Sequence, residues 1–160
     1  MHKLDLKALS FWQQQVFAAA LMQRMLPNYA YFSQASGFGD YQLLVNQLDL
    51  VWQKLSLLSV KFSVELQLEK LQENIPNFTD FDIFAVYPAG DVCSGMVSLL
   101  ESFEEKETEC ASDISLLSIN GVVAYLEFFA LQDELEKPIV VDSDPLYIWE
   151  LESQKEIFEL

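Results

Sequence analysis

Apolar side chains recur along this chain at three- and four-residue intervals, the spacing of one helical face, and scarcely in the two-residue alternation of a half-buried strand. Leu9, Trp12, Val16 and Ala20 share one face of a segment from Leu4 to Leu26, widened by Phe17, Leu21 and Met25. Pro27 disfavours helical geometry in the residue before it, so the spacing predicts a break there and a short second helix over 28–35, stopped by Gly37 and Gly39. Asp40 is a good N-cap for a helix carrying Leu44, Leu48, Val51 and Leu55 and running to about Leu57. Val64, Leu68, Leu71 and Ile75 line a fourth helix that ends at Pro76, with Glu65, Glu69 and Glu73 on its polar face.

A turn-rich connection over 77–84 leads to a fifth helix, with Pro88 in its first turn and Val92, Met96, Leu99, Leu100 and Phe103 on its apolar face. The acidic run from Glu101 to Glu109 reads as a helix end passing into an exposed loop. Ser112 or Asp113 can cap a sixth helix with Ile119, Val123 and Leu126, continuing to Leu131. Apolar on several sides, it is the expected central helix. The run 139–141 reads as an extended linker, and Asp144 followed by Pro145 opens the last helix. These elements make an all-α chain, a compact multi-helix bundle of about six or seven helices. At 160 residues it is expected to form a single all-helical domain over 1–160.

Composition narrows the field. Half the residues are hydrophobic, with few Gly or Pro, which argues for a packed core. Continuous apolar stretches such as 16–22 fall far short of the ~20 residues that span a bilayer, and the N-terminus lacks the pattern of a secretory signal. No membrane contact and a cytoplasmic location are expected. Cys93 and Cys110 read as buried free thiols. The formal charge of −16 is uneven: residues 1–60 hold four basic and three acidic groups, residues 61–160 five and 22. Such a surface repels phosphate backbones, so no nucleic acid is expected as a partner; mimicry of nucleic acid toward a basic partner has only the net charge behind it.

The sole histidine, His2, sits at the N-terminus, which excludes triads, cysteine-histidine pairs and histidine-rich metal sites. Gly37-Phe38-Gly39 lacks the Lys and Ser or Thr of a phosphate-binding loop. What remains are carboxylates. Asp80, Asp82 and Asp91 either converge on one Mg²⁺, a hard cation that prefers oxygen ligands, or serve as helix caps. Glu65 and Glu69, with Glu101, Glu104 and Glu105, echo all-helical nucleotide pyrophosphatases, but no Lys or Arg beside them would hold phosphate, and they read as surface glutamates. Glu127 interrupts an apolar run, either on an exposed strip or buried with a partner.

Several blocks stand out: Phe11-Trp12-Gln13, Arg24-Met25-Leu26-Pro27-Asn28-Tyr29, Gly37-Phe38-Gly39-Asp40, Gln67-Leu68-Glu69-Lys70, Asp80-Phe81-Asp82, and Val86-Tyr87-Pro88-Ala89 with Asp91 and Cys93. Together they resemble the YjaG-like family of uncharacterised bacterial proteins, domain of unknown function 416. Fainter similarity continues through Ser118-Ile119, Leu126-Glu127, Trp149 and Ile157-Phe158. The resemblance implies an all-helical bacterial protein and brings no activity, cofactor or catalytic residue. Ala85 stands where relatives look to have Gly, and the chain stops at Leu160 where they look to continue into another helix. Without that helix an apolar groove would be exposed, inviting a partner chain or self-association.

Asn28, Tyr29, Asp40 and Tyr87 lie in these blocks at helix ends and either converge on a pocket or fix turns and caps. The leading expectation is a non-catalytic acidic module with no cofactor, acting through a protein partner or as a homodimer. The alternative is a Mg²⁺-dependent enzyme acting on a phosphorylated small molecule.

Overall fold

The computed structural model describes residues 4–57, 59–105, 109–132 and 141–160, without the side chains of 130–132. Six helices account for most of these residues: α1 (Phe11–Ser36), α2 (Tyr41–Ser56), α3 (Val64–Gln72), α4 (Val86–Glu101), α5 (Cys110–Gln132) and α6 (Pro145–Phe158). No strand occurs among the described residues, and 3₁₀ turns cover Leu6–Ala8, Phe78–Asp80 and Val141–Ser143. Only Val141 of the expected 139–141 linker is described, and it opens the last of these turns.

The first helix starts later and ends later than its periodicity predicts. Ser10 accepts from the Gln13 amide while Gln13 reaches back to the Ser10 amide, a capping box that sets the start at Phe11. Pro27 does not break it: α1 runs through the proline to Ser36, so the two helices expected over 4–26 and 28–35 are one. An interior proline costs about 3 kcal/mol in a helix. Met25, Leu26, Tyr29 and Phe32 are buried on both sides of it, however, while the pyrrolidine ring faces outward, and their burial holds the backbone in register.

The centre of the bundle is α1, not α5 as the sequence suggests. Two adjacent pairs on two faces, Ala18 with Ala19 and Leu21 with Met22, are fully buried, and α1 packs on α2, α4, α5 and α6. Gly95 lets α4 come close, because a Cβ there would lie 2.5 Å from the Met22 sulfur. In α5, by contrast, Cys110, Ala111, Ile114 and Leu126 are buried, while Leu116, Tyr125 and Phe129 are exposed. Its apolar character reflects uncovered surface as well as core. By length and composition alone, Cys110–Phe129 is apolar enough to cross a membrane, which its interruptions by Ser, Asn and Gly hide from a search for continuous apolar runs.

Local signals set the other boundaries. Asp40 caps α2 through the Gln42 amide, Ser63 caps α3 through the Leu66 amide, and Asp144 with Pro145 opens α6 as expected. Pro88 lies in the first turn of α4. The expected cap at Ser112 or Asp113 is displaced: α5 begins at Cys110, and the Asp113 amide already donates to the Glu109 carbonyl.

Candidate functional site

Helices α1, α4, α5 and α6 enclose a cleft of about 830 Å³. The polar floor is built from residues that the apolar periodicity conceals. On α6, Tyr147, Glu150 and Gln154 fall on the buried side at helical spacing, so a carboxylate and an amide enter the core. Glu150 is only 2% exposed, and it is fully engaged. Its Oε2 accepts from Arg24 Nη2 at 2.7 Å, and its Oε1 accepts from Ser118 Oγ and from Gln154 Nε2. Ser115 in turn donates its hydroxyl to Gln154 Oε1 and accepts from Gln154 Nε2 at its carbonyl. A buried charge is tolerated only when paired and hydrogen-bonded, and these donors supply that condition.

The Arg24 guanidinium also lies over the Trp149 ring, 4.8 Å from its centroid. Its Nη1 is shut from solvent and has no hydrogen-bond partner among the described residues. Asp91 differs from both. It projects from the second turn of α4 toward Gly121 of α5, where an added Cβ would lie 3.9 Å from its Oδ2. Among the described residues it makes no hydrogen bond or ion pair, and burial raises its carboxyl to about 6. Phe84 and Tyr125 line the same cleft, and their rings continue outward into a set of contacts with Tyr87, Phe128 and Phe129.

The residues singled out from sequence distribute over three places. Asn28 and Asp91 both line the cleft. Tyr29 and Asp40 meet elsewhere, around Asn74: the Tyr29 hydroxyl donates to the Asn74 carbonyl at 2.8 Å, and the Asp40 amide donates to the Asn74 side chain at 2.8 Å. Cys93 donates its thiol to that same carbonyl. Burial pushes the Tyr29 phenol well above its ordinary value, with Cys93 and Asp40 adding to the effect, and pushes the Cys93 thiol up to about 12. This knot is built as a structural clasp, with both groups held protonated. Tyr87 is exposed and packs against Phe78 and Phe84.

Asp80 and Asp82 are exposed near the 3₁₀ turn that follows Asn77, away from the lining of the cleft that Asp91 enters. No group of three or more His, Cys, Asp or Glu side chains able to hold a metal is found among the described residues. Glu65, Glu69, Glu101, Glu104, Glu105 and Glu127 are all exposed. The Arg24–Glu150 pair was hidden from sequence reasoning, and the signal that reveals it is the 147, 150, 154 spacing set against Ser115 and Ser118.

Fold and site together define an all-helical protein with a charged clasp beneath a partly apolar cleft. The chain belongs to the family described as "Protein of unknown function (DUF416)", whose sequence profile matches residues 1–160. It is 40% identical over 158 residues to the "Uncharacterized protein YjaG" of Escherichia coli (strain K12), covering 98% of this chain and 80% of the relative. An uncharacterised protein of Haemophilus influenzae is 36% identical over 162 residues. The crystal structure of a DUF416 family protein from Shewanella baltica OS155 superposes with a TM-score of 0.86 at 36% identity, over 96% of this chain and 80% of that one.

Proposed function

We propose that this protein is a non-catalytic interaction module whose α5 face receives an apolar helix of another protein. The observation that carries the reading is the exposed stripe Asp113, Leu116, Asn120, Ala124 and Glu127, with Tyr125 and Phe129 beside it. Its middle is uncharged and exposed, a surface suited to an apolar partner helix. Acidic groups close both ends, ~21 Å apart along the helix axis at the usual rise per residue.

Those ends favour a foreign partner over a second copy. Two α5 helices side by side would set Asp113 against Asp113 and Glu127 against Glu127, and reversed they would set Asp113 against Glu127. Either pairing opposes like charges. A partner helix with basic residues two heptads apart and apolar residues between them matches instead.

The test is fluorescence anisotropy with two synthetic leucine-rich helical peptides, identical except for Lys or Glu at the flanking positions. The Lys-flanked peptide is expected to bind, and Leu116→Glu to weaken it about tenfold or more. Equal binding of both peptides, or a dimer in sedimentation velocity that Leu116→Glu dissociates, would overturn the reading.

A further inference from the structure

The cleft holds one charged group whose role the fold does not explain. Glu150 has a donor at each oxygen, and Arg24 is tied to it through Nη2 and laid against Trp149. Asp91 has nothing comparable, although it sits partly buried between α4 and α5 and loses hydration there. A carboxylate kept this way lowers stability at neutral pH unless something else pairs with it.

The surroundings select the charge of that partner. The other charged groups at the cleft are Arg24 from α1 and Glu150 and Glu156 from α6, with the Tyr125 hydroxyl from α5. Arg24 and Glu150 neutralise each other, and the Arg24 Nη1 is shut from solvent. Asp91 and the exposed Glu156 are left, within a chain of net charge −16, so the field favours a cation and rejects an anion. The walls select its body. Met25, Phe84, Leu117, Val122, Tyr125 and Ile157 offer apolar and aromatic surface in a volume suited to a small organic molecule rather than a bare ion.

We propose that the cleft between α1, α4, α5 and α6 binds a small organic cation, an amine with an apolar body, and that Asp91 is its counter-ion. The ammonium pairs with the Asp91 carboxylate, and the hydrocarbon portion lies against Phe84 and Tyr125. This site borders the α5 stripe at Tyr125, but Leu116, at the centre of the stripe's apolar surface, does not line the cleft.

Isothermal titration calorimetry with three probes of one shape tests it: phenethylamine, 2-phenylethanol and phenylacetate. At about pH 7.5, where Asp91 is ionised, phenethylamine is expected to bind about tenfold or more tightly than the alcohol, and phenylacetate not to bind. Asp91→Asn is expected to remove that preference, Asp82→Asn to keep it, and amine binding to weaken as the pH falls below about 6. Leu116→Glu should leave amine binding unchanged, which separates this site from protein docking on α5. Equal affinity for amine and alcohol, unchanged amine binding in Asp91→Asn with a native circular dichroism spectrum, or no heat from phenethylamine at millimolar concentration would each overturn the proposal.

Discussion

Arg24 of α1 and Glu150 of α6 meet at 2.7 Å across 126 residues of sequence, and their pairing fastens the last helix to the central one. Replacing Arg24 with methionine would leave the Glu150 charge buried beside Ser118 and Gln154 without its cation. Loss of one partner from a buried pair costs about 3–5 kcal/mol. Arg24→Met is therefore expected to lower the urea midpoint strongly. The double variant Arg24→Met, Glu150→Leu should recover most of the loss, because no charge is then stranded. Additive losses in the two single variants and the double would contradict this coupling.

Asp91 makes a prediction of opposite sign. Its carboxyl is raised from 3.8 to about 6, so the folded protein holds that proton more tightly than the unfolded chain. Stability from this group is present below the unfolded value and is lost as pH rises through about 6. Asp91→Asn is free of that loss. In thermal melts it should exceed the wild type at about pH 7.5, with the gap narrowing toward pH 5. A gap independent of pH would assign the effect to packing instead.

At Gly39 the backbone has φ of 83°, and a Cβ would lie 1.9 Å from the Tyr29 hydroxyl oxygen. Gly39→Ala therefore meets two penalties, left-handed strain and displacement of the buried Tyr29 from its bond to Asn74. Together they should cost about 2–4 kcal/mol, measured by denaturant unfolding. At Gly37 an added Cβ touches nothing, so Gly37→Ala should cost only the left-handed strain, about 1–2 kcal/mol.

Pro27 lies on the outer side of a continuous helix. Pro27→Ala restores an amide able to reach the Gln23 carbonyl, offset by greater freedom in the unfolded chain. A net gain of about 1–2 kcal/mol is expected, read as a rise in melting temperature. A loss would mean that the proline supports a bend on which the packing of Tyr29 and Phe32 depends.

Helix positions that rest on local chemistry were legible in the sequence: Asp40, Pro88 and the Asp144-Pro145 pair each mark a helix start through their own backbone or side-chain groups. Pro27 misled because its local preference is overridden by tertiary burial of Leu26 and Tyr29, which spacing alone does not weigh. The centrality of α1 was obscured for a related reason. Hydrophobicity all round a helix signals core burial only when neighbours cover it, and α5 leaves Leu116 and Tyr125 uncovered. Of the cleft, Asn28, Arg24 and Asp91 stood in the family blocks, whereas Glu150 looked like one more surface acid. Its burial depends on Arg24, Ser118 and Gln154 arriving together from three helices.

The claim that α5 is a docking face is tested most directly by amide hydrogen exchange with and without the Lys-flanked peptide. Added protection is expected in α5 over 116–127, where backbone and side chains face the partner, with α2 and α3 unchanged. Protection confined to other helices, or none anywhere in the chain at saturating peptide, would contradict it.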